Sequence, residues 1–448
     1  MIKQKTASIT AIALIVIGVA AAVTAGLFLF PYSPDSPPSA DDSNSTQQGI
    51  QEVVNANNQF AFDLYKQLDE EQKQKEENKN VFYSPYSIST ALAMTYEGAK
   101  GKTAEEMKEV FYFPENSILR PNSAAVYNNI NKGDKNYELK TGNALWLQQD
   151  YPFLEDYLTR VEDYYGGKAA NLDFISETEK SRQTINIFIE EQTNNRIKDL
   201  IPQGVLKPDT RLVLTNAIYF KGTWEWEFDK SDTREQDFKI SEDNVIKTEM
   251  MFMEPEKTNF NYAQTEKLQI LELPYKDNEV SMLILLPRQG EEYDYQTGES
   301  ITFNYNLEDI ELTSEKLSEY KNQMKETKLD SISLPKFEFD SKYFMKDTLT
   351  ALGMPTAFKD PALSGLDGAD FSGMTAEREL FISAVIHQAF VKVDEQGTEA
   401  AAATAVVKGL TSAMPRNVFQ ADHPFVFIIQ EKETGNILFM GKVVNPSE

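Results

Sequence analysis

The run from Thr398 to Val407 limits what this chain can become more than any other stretch. Apart from Glu399, its side chains are only threonine, alanine and valine. At the two-residue period of a strand, one face carries Thr398, Ala400, Ala402, Thr404 and Val406. The other carries Glu399, Ala401, Ala403, Ala405 and Val407. With no bulky side chain to obstruct entry, such a segment can slot between two existing strands. Local propensity favours the opposite outcome, an alanine-rich helix with Glu399 near its positive end and Lys408 near its negative end. The next residues, Gly409 to Pro415, are mixed and loop-like, the composition of an exposed, protease-sensitive segment.

Composition removes several function classes. The chain has 448 residues with 41% hydrophobic and 25% charged side chains, an ordinary globular balance. Its net charge of −26 repels phosphate backbones, so no nucleic-acid partner is expected. There is no cysteine, which excludes disulfides, thiol catalysis and cysteine-held zinc. His387 and His423 are the only histidines, too few for a multi-histidine metal site. No metal or cofactor is expected, and an enzyme is disfavoured.

Lys3 and Lys5 precede an uncharged run from Ala7 to Phe30. At 1.5 Å per residue its roughly 24 residues span a bilayer core of about 30 Å. Residues 1–30 therefore read as a signal peptide or transmembrane anchor, with length favouring the anchor, and place the rest outside the cytoplasm, secreted or membrane-anchored. Membrane contact is expected only through this segment. Residues 31–49, with Pro31, Pro34, Pro37 and Pro38, read as an extended tether. The folded domain is expected over 50–448.

Within it, Phe60, Leu64 and Leu68 mark a helix face, closed by the charged stretch from Asp69 to Lys79. Thr103-Ala104-Glu105-Glu106 has the form of a capping box. Ile185, Phe188 and Ile189 mark a further helix. Asn143 to Leu147, Leu212 to Phe220 and Val280 to Leu286 read as strands, the last two buried on both faces. Ser331 to Phe339 alternates, but Pro335 shifts its phase and predicts a bulge or edge. Residues 289–315 hold eight acidic and no basic side chains and read as a solvated loop. Helices dominate early and strands late, without a repeat, so the fold class is α+β with large mixed sheets.

Four ordered motifs resemble those of the serpins, the serine protease inhibitor family. They are NVFYSPYSI from Asn80 to Ile88, LTNAIYFKGTW from Leu214 to Trp224, and VDEQGTEAA from Val393 to Ala401. The fourth is FQADHPFVFII from Phe419 to Ile429, followed by LFMGKV from Leu438 to Val443. The resemblance covers about 390 residues. It implies one domain of three β-sheets with eight to nine helices and an exposed reactive-centre loop. It also overrides the helical reading of the alanine run.

Further implications are carried over from the family. After cleavage the loop inserts as a strand into the large sheet while the protease stays acyl-linked, so the molecule acts as a suicide substrate. The hinge corresponds to Glu395, Gly397, Thr398, Glu399, Ala400, Ala401, Ala402, Ala403 and Thr404. Counted from Glu395 as first, the seventeenth residue is Thr411, which puts the scissile bond at Thr411–Ser412. Leu410–Thr411 and Ala413–Met414 are the neighbouring alternatives. Ser84, Ser87, Asn216 and His387 match a buried shutter cluster. Trp224, Lys336 and Glu395 match the breach where the loop enters. The resemblance implies a monomer whose partner is a serine protease of elastase, subtilisin or chymotrypsin type, with a cysteine protease as a sub-case. A non-inhibitory serpin, chaperone or carrier, is the alternative.

Overall fold

The computed structural model describes residues 39–132, 135–255, 258–294, 299–398 and 417–448. Helix α1 (Gln47–Gln74) starts where Thr46 Oγ1 accepts a hydrogen bond from Gly49 N at 3.0 Å. It buries Phe60, Leu64 and Leu68 on one face, the stripe their spacing predicts. The helix continues into the charged stretch expected to close it, because Asp69 turns inward to Lys442 Nζ at 2.7 Å. After β1 (Val81–Tyr83), Ser84 caps α2 (Pro85–Tyr96) by accepting from Ser87 N, with Pro85 supplying a preset first residue. Helices α3 (Gly101–Val110), α4 (Asn116–Ile130), α5 (Glu155–Tyr165) and α6 (Thr178–Gln192) then alternate with β2 (Tyr137–Thr141), β3 (Ala144–Gln148) and β4 (Lys168–Leu172).

Strands dominate from β5 (Leu212–Thr223) onward. They are β6 (Arg234–Ser241), β7 (Asn244–Met253), β8 (Phe260–Gln264), β9 (Leu268–Pro274), β10 (Val280–Pro287), β11 (Gln289–Asp294) and β12 (Glu299–Asn304). Helix α7 (Ser314–Gln323) precedes β13 (Lys325–Thr327), β14 (Ser331–Pro335) and β15 (Phe337–Phe344). Helix α8 (Lys346–Leu352) leads toward β16 (Ile382–Asp394), β17 (Gly397–Thr398), β18 (Val418–Gln420), β19 (Phe425–Glu431) and β20 (Ile437–Val443).

Among the described residues these strands form three sheets and one separate hairpin. The large sheet has the order β15-β16-β17-β5-β3-β4, and β2 pairs with β5 above β3. A second sheet runs β1-β20-β19-β10-β9-β8-β13, and a third β18-β14-β7-β6. Apolar faces of the first two meet through aromatic contacts. The Phe82 ring stacks on Phe439 at 5.2 Å and Phe427 at 5.6 Å, and meets Phe339 of the large sheet edge-on.

Several expectations change. Pro335 marks neither a bulge nor an edge: the chain leaves the third sheet there, and Lys336 separates β14 from β15 of the large sheet. Thr103 lies inside α3 and caps nothing; its hydroxyl accepts from Asp370 N at 3.0 Å, and Glu106 accepts from Thr356. The acidic stretch forms the β11–β12 hairpin and a helical turn rather than a structureless loop. Residues 40–46, expected in the tether, dock on the domain. Asn128 brackets Ala40 with two hydrogen bonds, and Asp41 N donates to Asp163 O. The expected export segment lies outside the described residues, among which no helix is long and apolar enough to cross a membrane.

A buried ion cluster joins three helices. The Glu97 carboxylate, fully buried, accepts from Arg120 at 2.9 and 2.7 Å and from Tyr165 OH at 3.0 Å, with Arg160 Nε at 3.2 Å. Glu97→Ala strands two guanidinium groups and is expected to cost about 3 kcal/mol. Urea unfolding of the uncleaved chain reads this directly, and an unchanged midpoint contradicts it.

Candidate functional site

The parallel seam between β16 and β5 is closed from its lower end, where Ile382 lies opposite Leu212, up to Phe390 opposite Tyr219. Above it the two strands part and β17 fills the gap, antiparallel to both. Thr398 lies between Val393 and Gly222, and Gly397 between Asp394 and Thr223. The turn at Glu395 and Gln396 reverses the chain. Gly397 has φ +153°, and a Cβ there would sit 2.0 Å from Gly222 O, so glycine is required by both conformation and space. Thr398 is buried, and its Oγ1 lies 2.7 Å from Tyr275 OH. Burial raises the Tyr275 phenol, which keeps it neutral.

The turn is held from three directions. The Trp224 ring stacks on Tyr275 at 4.5 Å, and its Nε1 donates to Asp394 O at 3.1 Å. Trp224 N donates to Gln396 O, and Phe228 N to Glu395 O, both at 2.8 Å. The Glu395 carboxylate accepts from Thr233 Oγ1 at 2.8 Å and lies 3.4 Å from Lys336 Nζ, which also meets Glu249 at 3.3 Å. Burial pushes the Glu395 carboxyl up, but a backbone N–H, the Thr233 hydroxyl and the Lys336 ammonium outweigh it and hold it below its usual range. Burial raises neighbouring Asp394 instead. The sheet change at Lys336 is what brings its ammonium to this corner.

Lower in the seam, His387 stands directly opposite Asn216. Ser84 N donates to His387 Nε2 at 3.1 Å, so Nδ1 carries the proton and donates to Asn216 Oδ1. Asn216 Nδ2 donates to Ser87 Oγ and Asn143 Oδ1, each at 2.6 Å. Ser84 Oγ donates to Leu438 O at 2.6 Å, joining the seam to the second sheet. His387, Asn216, Ser84 and Ser87 are all fully buried, and burial lowers His387 to about 3.

Two groups of expected residues are thus brought together: Ser84, Ser87, Asn216 and His387, and separately Trp224, Lys336, Glu395, Gly397 and Thr398. The remaining hinge residues Glu399 to Thr404, with Thr411 and Ser412, lie outside the described residues. Sequence reasoning missed Asn143 and Tyr275. Asn143 reads only as the start of a strand, and Tyr275 has no signal beyond its place after β9. Among the described residues no cluster of His, Asp or Glu is arranged for a metal. The geometry is a gap one strand wide at one end of a closed seam, filled by Gly397 and Thr398.

The neutral His387 has a thermodynamic consequence. Its folded value lies below the ordinary value of about 6.5, so its contribution is complete above that pH and declines as pH falls toward about 3. Between pH 6.5 and 5 the uncleaved chain is expected to lose about 1 kcal/mol per pH unit from this group. Urea midpoints for the chain and for His387→Gln measure it: the variant is expected to lack this part of the slope, and parallel slopes contradict the assignment.

Comparison with known proteins agrees with this geometry. A model of the family described as Serpin (serine protease inhibitor) matches residues 55–446. An uncharacterized serpin-like protein of Methanosarcina mazei is 42% identical over 402 residues, covering 88% of each chain. Leukocyte elastase inhibitor A of Rattus norvegicus is 37% identical over 400 residues, covering 89% of this chain and 100% of its own. The crystal structure of uncleaved ovalbumin superposes with a TM-score of 0.71 at 30% identity, covering 88% of this chain and 100% of that one. The chain belongs to the serpin family.

Proposed function

We propose that this serpin inhibits serine endopeptidases as a suicide substrate, without catalysing a reaction of its own. The observation that carries the reading is the two-residue strand Gly397–Thr398, already paired on both edges at the top of an otherwise closed seam. The residues that follow, Ala400 to Thr404, are small enough to continue it downward. Cleavage at Thr411–Ser412 releases the segment; insertion then exchanges a parallel seam for two antiparallel ladders. The acyl-linked protease travels with Thr411, about 40 Å at ~3.3 Å per residue. In this reading Trp224, Lys336 and Glu395 guard the entry, and Ser84, Ser87, Asn216 and His387 hold the seam until insertion.

Threonine before the bond suits elastase- or subtilisin-like pockets, and Leu410 offers a chymotrypsin-like enzyme a bond one residue earlier. The relative named for leukocyte elastase supports the first of these. Export through the run from Ala7 to Phe30 would put the inhibitor outside the cytoplasm.

Incubation of the chain with elastase, subtilisin, chymotrypsin and trypsin tests the reading. A denaturant-resistant complex is expected with at least one of the first three, with Thr411 at the new C-terminus; cleavage without a complex contradicts it. Thr398→Arg puts an unpaired charge where a buried hydroxyl meets Tyr275. This variant is expected to be cut as a plain substrate, with a severalfold rise in inhibitor consumed per protease inactivated. An unchanged stoichiometry contradicts the role of the hinge.

A further inference from the structure

The loop between Lys359 and Ala369 displays two leucines to solvent. Leu363 and Leu366 are 87% and 89% exposed, far above the other exposed large hydrophobic side chains among the described residues. The loop is nonetheless tightly built. Ala369 N donates to Lys359 O at 2.9 Å and closes its ends, and Asp360 Oδ1 accepts from Ala362 N at 2.8 Å. Arg378 spans the loop: Nη2 donates to Leu366 O at 2.8 Å and Gly368 O at 2.7 Å, and Nε to Ala369 O at 3.2 Å. Gly368 is so close that a Cβ there would lie 2.5 Å from Pro361 Cα. A backbone this constrained, holding two apolar side chains in water, is the construction of a contact surface.

We propose that this loop is the surface against which the captured protease comes to rest. The proposal rests on the suicide-substrate reading above. Continued down the sheet from Thr398 and past the irregularity at Ser383, the register of β17 would carry Thr411 below the last paired residues, Leu212 and Ile382, to the level of Asp209 on one side and Glu379–Leu380 on the other. Leu380 is two residues from Arg378, the side chain that holds the loop. An acyl-linked protease is therefore delivered beside Leu363 and Leu366.

The size and charge of the patch select this occupant. Two leucines offer roughly 300 Å², far short of the ~1,200 Å² that a stable dimer needs, so a second copy binds too weakly. A covalently tethered partner needs no such area, because its effective concentration is of millimolar order. Asp360 and Asp367 stand beside the leucines, Asp370 meets Arg378 at 3.6 Å, and Lys359 is the one further cation, so the loop offers no cationic patch to an anionic lipid surface.

The test compares the chain with its L363S/L366S variant, using pancreatic elastase and, as a second probe, subtilisin. Both proteins are expected to form the covalent complex at the same rate and stoichiometry. The variant is expected to release active protease roughly tenfold faster, because the contact that helps hold the distorted enzyme is gone. Equal release rates overturn the role of the loop while leaving the inhibitor reading intact. Absence of any complex from the unmodified chain overturns both. Sedimentation showing a dimer lost in the variant makes a second copy the occupant, and vesicle binding lost in the variant makes it lipid; either overturns the proposal.

Discussion

The hydrogen bond from His387 to Asn216 crosses the seam around which the molecule is arranged. It joins β16 to β5, and its neighbours Ser84 and Ser87 tie the same point to α2 and, through Leu438 O, to the second sheet. Every polar group named in this network has a partner with the seam closed. Opening the seam separates His387 from Asn216, and a buried polar group left without a partner costs about 1–3 kcal/mol. The network is thus a local lock in a sheet whose strands are otherwise held by ordinary ladders.

At the upper end the same two strands are kept apart. Trp224 and Tyr275 stack beneath the turn, Gly222 and Gly397 permit a backbone approach that no Cβ allows, and Lys336 clasps Glu395 from the corner where the chain changes sheets. Under the proposed mechanism the two ends oppose each other, the wedge of Gly397 and Thr398 against the lock at His387. At about 1 kcal/mol net per ladder bond, an inserted strand of about a dozen residues gains on the order of 10 kcal/mol, more than the lock holds. Cleavage would then decide the outcome by freeing the segment rather than by weakening the lock.

Much of this was legible in the residues. Phe60, Leu64 and Leu68 read as one helix face and are one, and the unbroken apolar run from Leu212 reads as a doubly buried strand and is one. What stayed hidden depends on tertiary partners. A proline that interrupts alternation looks the same whether the strand bulges or changes sheets, so Lys336 was placed at the breach by resemblance and not by local pattern. Thr103 and Glu106 have the spacing of a capping box, but Asp370 and Thr356 claim their side chains. The acidic residues between 289 and 315 concealed a hairpin in which Phe303 lies under the Arg288 guanidinium at 3.5 Å. Leu363 and Leu366 carried no signal, because exposure is not a property of sequence.

The central claim is that the chain gains stability by taking its own cut segment into the seam. Thermal unfolding of the chain before and after a single cut near Thr411 measures this most directly. The account predicts that the nicked protein melts well above the intact one. A nicked protein that melts at or below the temperature of the intact one contradicts it.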